Sequence, residues 1–248
     1  MRKNILLIML VASTLMVSCQ QKKITEKTLQ YFQTNKGETG MPLEIRFLQG
    51  KQHNHPTFSF WIEDLEGNYI ETLYVTEYLA KGVYGHGALG VGKWDSKPGP
   101  AERPSTLPYW LHKWKGNASR NAVLPSPESP VPDAITGATP PGDFVLETVA
   151  KKPLPVQFRL MMEINQTWDW NEYWNNNLYP DDFDYKISCQ PALVYSVVVN
   201  SDQAGKDFYL NPIGHSHYSG KDGELYTDIS TLTTAKEIVG KVCVKIRK

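Results

Sequence analysis

The recurrence of an apolar residue at every second position in two separate segments constrains the fold more than any other feature. Every second residue is apolar in both: Phe58, Phe60 and Ile62 in the first, and Val156, Phe158, Leu160, Met162 and Ile164 in the second. A period of two is that of a β-strand, because successive side chains of a strand point to opposite faces. The sequence therefore predicts a chain built mainly from strands.

Further strand-like runs support this prediction. They lie at residues 43–48, 69–75, 144–146, 193–199 and 241–246. Residues 64–68 form a turn that joins the strand at 58–62 to the next one in a β-hairpin. Only residues 233–239 are expected to be helical, with Thr231 or Thr233 as the cap. Many short strands and few helices predict an all-β fold, an antiparallel β-sandwich of the immunoglobulin-like type.

Residues 85–143 differ in composition from the rest of the chain. Ten prolines lie between Pro98 and Pro141, and proline cannot supply the interior of a regular sheet. The segment also contains five large apolar residues, Trp94, Leu107, Trp110, Leu111 and Trp114. We therefore expect a long Pro- and Trp-rich insertion that is ordered and folds back against the sandwich.

The chain begins like an exported protein. Two basic residues precede a short apolar run that ends in Met-Val-Ser-Cys at residues 16–19, which is typical of a signal peptide and too short for a membrane span. These four residues resemble the lipobox of bacterial lipoproteins, with Cys19 as the lipidated residue; an ordinary secretory signal is the alternative. The sequence predicts a signal peptide at 1–18, a lipid-anchored tether at 19–40 and one domain at 41–248, facing the periplasm.

Charge and cysteine content narrow the possible partners. Lys plus Arg and Asp plus Glu both number 26, for a formal net charge of 0, so no basic excess favours nucleic acid as a partner. Besides Cys19, the chain contains Cys189 and Cys243, each beside a strand-like run. In an oxidising periplasm they can form a disulfide, or they can remain two small buried thiols, and the sequence leaves both possibilities open.

The short stretch with the most chemical content is residues 133–139, which read Asp-Ala-Ile-Thr-Gly-Ala-Thr. This string resembles the recognition motif of bacterial flavin transferases, in which the last hydroxyl receives FMN through a phosphoester bond. The resemblance assigns the cofactor to Asp133, Thr136, Gly137, Ala138 and, as the acceptor, Thr139. The two small residues leave room for a transferase, and Tyr109, Trp110 and Trp114 are expected to stack on the flavin ring. An ordinary turn between strands is the alternative.

Several stretches taken together resemble a protein family. They are Trp61-Ile62-Glu63-Asp64 with its hairpin, the segment around Trp110, and residues 133–139, 163–172 and 214–223. The set is similar to a family of predicted bacterial periplasmic proteins that is known as a domain of unknown function. Its members stand alone as lipoproteins or follow PepSY transmembrane regions. The resemblance implies an association with extracytoplasmic flavin- and iron-linked redox systems, with a flavin transferase and a membrane redox protein as partners.

Two His-x-His pairs are candidate metal ligands. His215 and His217 would project to one face of a strand, as would His53 and His55. Two such pairs brought together can bind Zn²⁺ or Cu²⁺. The competing interpretation is that both pairs lie in loops and make ordinary hydrogen bonds.

Other patterns bear on the choice between an enzyme and a binding protein. The aromatic and Asn-rich run at residues 168–179 suits a sugar-binding platform, or it supplies anchors for the core and loops. No hydrolase motif is present, although Glu163, Asp169 and Glu172 are acid/base candidates. We expect a lipid-anchored accessory protein of flavin-linked redox that either carries covalent FMN or assists a flavin system, and that is not a stand-alone enzyme. The alternative is a non-catalytic lipoprotein that binds a carbohydrate or a protein.

Overall fold

The computed structural model describes residues 29–116, 124–131, 136–137 and 139–248. The predicted signal peptide and Cys19 lie outside this part of the chain. The described strands are β1 (Gln30–Gln33), β2 (Met41–Gln49), β3 (Thr57–Glu63), β4 (Tyr69–Thr76), β5 (Val83–Tyr84), β6 (Ala88–Gly90), β7 (Lys93–Trp94), β8 (Gly99–Pro100), β9 (Thr136–Gly137), β10 (Phe144–Ala150), β11 (Gln157–Asn165), β12 (Leu193–Asn200), β13 (Asp207–Tyr209), β14 (Asn211–His215) and β15 (Val239–Ile246). The described helices are α1 (Glu77–Lys81), α2 (Pro108–Lys115) and α3 (Phe183–Ser188), with short 3₁₀ turns at Ser201–Gln203 and Ala235–Glu237.

Two sheets contain the main strands. One has five strands in the order β1-β10-β2-β15-β13, and the other has six in the order β14-β12-β11-β3-β4-β9. Neighbouring strands are antiparallel except for β1 with β10 and β4 with β9. This arrangement confirms the predicted all-β class.

The inner faces of the two sheets share one apolar core. Phe47 of β2 stacks on Phe144 of β10 with ring centroids 4.9 Å apart, and Phe58 of β3 lies 5.5 Å from Phe144. Leu160 and Met162 of β11 are fully buried in the same cluster. Each fully buried apolar side chain of this size contributes about 1.5–3 kcal/mol. The alternating residues in the sequence are therefore those that pack between the sheets, except Val156, which precedes β11 and is exposed.

The six-stranded sheet is buried on its outer face as well. Trp61 of β3, Met161 of β11 and Val194 of β12 form a second apolar cluster with Leu79 of α1 and Trp110 of α2. Because both faces are covered, β3, β11 and β12 are interior strands of the molecule.

The described part of the predicted insertion supplies this outer cover. Leu107, Trp110 and Leu111 are buried in the second cluster, and Trp114 packs at its margin, whereas Trp94 is partly exposed. The expectation that the insertion folds back is confirmed for these residues. It also contains the small antiparallel pair β6 with β7 and strand β8, which pairs with β5 just before the insertion.

The helices differ from the prediction. The stretch at 233–239 forms only the 3₁₀ turn Ala235–Glu237, and α1, α2 and α3 were not predicted. The start of α3 has a local signal, because the Asp182 carboxylate accepts a hydrogen bond from the Tyr185 N–H at 3.0 Å, as N-cap residues do. The end of α1 also has one, because Gly82 adopts a left-handed φ of 63° that favours glycine.

One end of the sandwich, called the loop end below, brings the candidate residues together. There β2, β4 and β11 end and β3, β10 and β12 begin, as the pairing of Thr57 with Asn165 and of Leu193 with Ile164 requires. His215 at the end of β14 pairs with Leu193, so β14 also ends there. The chain leaves the sheets at this end after Thr76, Asn165 and His215.

Candidate functional site

The described part of the flavin motif lies on the edge of the six-stranded sheet. Thr136 and Gly137 form β9, which pairs in parallel with the last two residues of β4. No strand in the described residues pairs with the other side of β9. Thr139 follows at the loop end with a half-buried side chain, while Asp133 and Ala138 lie outside the described residues. The acceptor position therefore follows an edge strand that is fixed to the sheet on one side.

The three rings expected to stack on a flavin pack elsewhere. Trp110 is fully buried, and its indole Nε1 donates a hydrogen bond to Thr72 Oγ1 at 2.9 Å. Tyr109 is also buried, and Trp114 stacks on Trp110 with ring centroids 5.9 Å apart. That expectation was wrong, because these side chains lie on α2 and pack on or beside the sheet.

A different set of rings lines a large cleft at the loop end. The cleft lies between residues 88–102, 125–128 and 178–187 and has a volume of about 1140 Å³. Its aromatic lining residues are Trp94, Tyr179, Phe183 and Tyr218. Tyr179 and Tyr218 stack with centroids 4.2 Å apart and planes only 3° from parallel. Ligand pockets commonly measure about 300–1,000 Å³, so the cleft can hold a ring system the size of a flavin or of a short sugar.

The charge of this cleft limits which ligand it suits. Its carboxyl residues are Glu102, Glu128, Asp181, Asp182 and Asp184. Among the described residues that line it there is no Lys, Arg or His. Like charges repel a multiply charged anion, so the cleft favours a neutral or cationic group. Phe183 and Tyr218 were not predicted as site residues. The aromatic and acidic run at 179–184 was a usable signal for Phe183.

Beside the cleft, residues 168–179 carry three exposed rings. The exposed fractions of Trp168, Trp170 and Tyr173 are 58%, 51% and 49%, and the two indoles meet edge to face at 6.0 Å. Trp168 adopts a φ of 61°, which costs energy for a large side chain and is found most often at functional positions. These features support the binding platform suggested by the sequence.

Buried hydrogen bonds anchor the rest of this run. Asn171 Nδ2 lies 2.8 Å from Gln190 Oε1, 2.7 Å from Thr231 O and 2.9 Å from Thr233 Oγ1. Trp174 Nε1 donates to Thr231 Oγ1 at 3.0 Å. The run therefore combines an exposed aromatic surface with a hydrogen-bonded attachment. The prediction of anchoring side chains is confirmed for Asn171 and Trp174, and the sugar-binding platform stays a prediction.

The side chain of Glu163 binds the backbone at the start of α2. Its carboxylate lies on β11 at the start of α2, where it accepts hydrogen bonds from the N–H groups of Tyr109 at 3.2 Å and Trp110 at 2.7 Å. Burial raises the pKa of Glu163 to about 8, although these two bonds act in the opposite direction. A carboxylate that takes up two free N–H groups of a helix start performs the work of a cap.

The other two acid/base candidates have different surroundings. Asp169 accepts a hydrogen bond from the Thr234 hydroxyl at 2.6 Å, and burial raises the pKa of its carboxyl. Glu172 is exposed. Glu163 and Asp169 share no hydrogen-bond partner in the described residues, so these contacts do not form an acid/base pair.

The histidine pairs occupy loops and strand ends. The ring of His215 stacks on Tyr226 at 5.4 Å, and His217 Nδ1 accepts the N–H of Ser219 at 3.2 Å. Burial lowers the pKa of His217. Residues 53–55 lie in the loop between β2 and β3. In the part of the chain that the structure describes, no group of three or more His, Cys, Asp or Glu side chains could hold a metal ion.

The two described cysteines are free and buried. Cys189 follows α3 with a φ of 65°, and burial raises the pKa of its thiol to about 11. Cys243 lies on β15 of the other sheet, and burial raises the pKa of this thiol too. Thiols with raised pKa values are poor nucleophiles, so both act here as small packed side chains.

Comparisons with known proteins give no information on the function of this chain. Searches with protein-family models, among curated proteins and among solved structures each found no match. Of the helices in the described ranges, none is both long and apolar enough to cross a membrane.

Proposed function

We propose that the chain is a lipid-anchored, periplasm-facing protein with an accessory role in flavin-linked redox, that it carries covalent FMN on Thr139, and that it belongs to the family of periplasmic proteins it resembles. The observation that carries the proposal is the position of the motif. β9 is an edge strand held by only two residue pairs, and a transferase can approach an edge strand without opening the sheet. Thr139 follows it, half-buried, at the end of the sandwich where the aromatic cleft lies.

The residues around Thr139 fit a covalently attached flavin. Pro140, directly after the acceptor, is buried and its ring restricts the backbone, so the hydroxyl is presented from a fixed segment. Thr136 and Gly137 would hold the segment to the sheet, and Asp133 would orient the donor or a metal during attachment. FMN supplies the electron-transfer chemistry when it is attached; this chain supplies the hydroxyl, the anchored strand and rings that can shield the flavin. Its partners would be a flavin transferase and a membrane redox protein.

The first test of this proposal is the mass of the intact protein after co-expression with a periplasmic flavin transferase. The wild type is expected to gain the mass of FMN minus one water, because the threonine oxygen forms a phosphoester with the phosphate of FMN and the hydroxyl proton and one phosphate hydroxyl are lost overall. Thr139→Ala is expected to lose the adduct completely. Thr227→Ala, which removes an exposed threonine outside the motif, is the matched control and is expected to keep it. An unmodified wild type, beside a control substrate that the same transferase labels, would reject the proposal.

The membrane anchor has a separate test. Metabolic labelling with palmitate is expected to mark the wild type, and Cys19→Ala is expected to abolish the label, because the thioether and amide-linked lipids of a lipoprotein require this residue. Cys243→Ala removes a buried thiol of the domain and serves as the control. A wild type that stays unlabelled and is recovered in the soluble periplasmic fraction would contradict lipidation.

We also infer an immunoglobulin-like arrangement for the sandwich core. In that fold, strands B and E are neighbours in one sheet and strands G, F and C follow each other in the other, extended by C′ in some members. Here β2 and β10 pair in one sheet, and β12, β11, β3 and β4 are consecutive in the other. The assignment is β2 to B, β3 to C, β4 to C′, β10 to E, β11 to F and β12 to G. These six strands occur along the chain in the order of that fold, with the insertion between C′ and E, which supports the assignment.

A second candidate function is non-catalytic binding of a carbohydrate or a protein. Its support is the aromatic surface of Trp168, Trp170 and Tyr173 beside a cleft of about 1140 Å³. Exposed rings of this kind suit the apolar faces of sugars. This function leads if the mass measurement finds Thr139 unmodified.

A further inference from the structure

Among the described residues, the charged side chain of Arg103 has aromatic neighbours but no acidic partner. Its guanidinium carbon lies 4.5 Å from the ring centroid of Tyr84 and 5.0 Å from that of Trp94. Its Nε is buried and has no hydrogen-bond partner in the described residues. None of the ion pairs among those residues includes Arg103. Buried donors are nearly always paired in folded proteins, and the described part of the chain contains no partner for this one.

The charge on Arg103 persists despite its burial. Burial lowers the pKa of the guanidinium, but arginine has so high a pKa that it stays protonated in proteins. Arg103 is half-buried as a residue, but its enclosed Nε–H has no acceptor among the described residues, which is unfavourable. The two rings offset part of this through cation–π attraction, yet they accept no hydrogen bond in the plane of the guanidinium.

A small pocket opens beside this side chain at the loop end. Its volume is about 190 Å³, and besides Arg103 it is lined by the hydroxyl residues Thr57, Thr106 and Thr167 and by the amide residue Gln166. No Asp or Glu occurs among the described residues that line it. The pocket is thus cationic and rich in donors, whereas the neighbouring large cleft is acidic.

We propose that this pocket binds a phosphate group, either as free inorganic phosphate or as the phosphoryl end of a small molecule. The planar fork of arginine pairs with two oxygens of an oxyanion, and threonine hydroxyls can donate to the remaining oxygens of a tetrahedral group. A volume well below that of typical ligand pockets, roughly 300–1,000 Å³, suits a small anion. The site is separate from Thr139 and does not depend on the proposed flavin attachment.

The test is a calorimetric titration of the full chain with inorganic phosphate, accompanied in the proteins that keep Arg103 by the NMR signal of its Nε–H group. Wild type is expected to show a saturable shift of this signal. Arg103→Met, which keeps an apolar side chain between the rings, is expected to bind phosphate about 10- to 100-fold more weakly, the usual loss for a hydrogen-bonded charge. Arg46→Met is the control, because Arg46 is exposed and pairs with Glu44 in the other sheet.

One further variant and two further ligands complete the test. Thr57→Val, a conservative change at the first residue of β3, is expected to weaken binding about 3- to 10-fold and replaces Arg103→Met if that variant does not fold. Titration with glycerol phosphate distinguishes the two sources, since tighter binding than inorganic phosphate assigns the site to a larger molecule. Acetate that binds as tightly as phosphate would overturn the phosphate assignment. A wild-type signal that does not saturate, or equal affinity in Arg103→Met, would overturn the site itself.

Discussion

Replacement of Glu163 by alanine is expected to lower the free energy of unfolding by about 2–5 kcal/mol, which makes it one of the two most damaging single changes considered. The carboxylate is fully buried and accepts the N–H groups of Tyr109 and Trp110 at the start of α2. Alanine would leave both donors without an acceptor. It would also leave a cavity where the carboxyl group was. Urea denaturation at neutral pH measures the change. A variant as stable as the wild type would show that α2 does not depend on this cap.

Glu163→Gln is the matched control for that experiment. Glutamine keeps one acceptor oxygen and nearly the same volume, so we expect a smaller loss of about 1 kcal/mol. The two proteins are also expected to differ in pH dependence. Burial raises the pKa of Glu163 from its ordinary value of 4.5 to about 8, so the folded protein holds this proton more tightly than the unfolded chain. The stabilisation is therefore present at low pH and is lost as the pH rises through about 8, a trend that Glu163→Gln is expected to lack.

The second large effect is expected for Trp110→Ala, at about 3–5 kcal/mol of unfolding free energy. Trp110 is fully buried between α2 and the outer face of the six-stranded sheet, and its indole N–H bonds to Thr72. Its loss removes the largest side chain that attaches the insertion to the sandwich. Urea denaturation gives the magnitude, and hydrogen exchange is expected to show lost protection in α2.

Trp170→Ala is the control for that change, because Trp170 is 51% exposed. We expect it to cost less than about 1 kcal/mol, as exposed positions usually do. Equal losses in the two variants would mean that the packing of α2 against the sheet is not what stabilises this region.

The sequence predicted the strands of the sandwich well because their signal is local. The alternation of Phe58, Phe60 and Ile62 reflects one buried face, and a period of two can be read without knowing the partner strand. The other face carries no such signal. Trp61 and Glu63 lie on it and both are buried, because the insertion covers that face and no local pattern encodes a cover from elsewhere in the chain.

The start of α2 could not be predicted for a similar reason. The helix begins with Pro108 after Leu107, and no side chain of its own caps it. The acceptor comes from Glu163 on a strand 53 residues after Trp110 in the chain. A cap supplied from a distance leaves no motif of the kind that Asp182 provides for α3.

The candidate sites also differ in whether a local sequence pattern predicts them. The motif at residues 133–139 could be found because a transferase recognises a linear string. The pocket at Arg103 could not be predicted, because its aromatic neighbours Tyr84 and Trp94 lie in separate short strands. A single arginine among prolines gives no pattern. Strand β9 was also missed, because a two-residue parallel pairing with β4 has no periodicity to detect.

The most direct test of the central claim is to locate the flavin within the protein. After co-expression with an active flavin transferase, the chain is cleaved with a protease and the peptide that contains residues 133–139 is fragmented in a mass spectrometer. The account predicts that the mass of FMN minus one water lies on Thr139, and that Thr139→Ser, which retains a hydroxyl, still carries it. An adduct on any hydroxyl outside residues 133–139, or none at all in a fully folded protein, would contradict it.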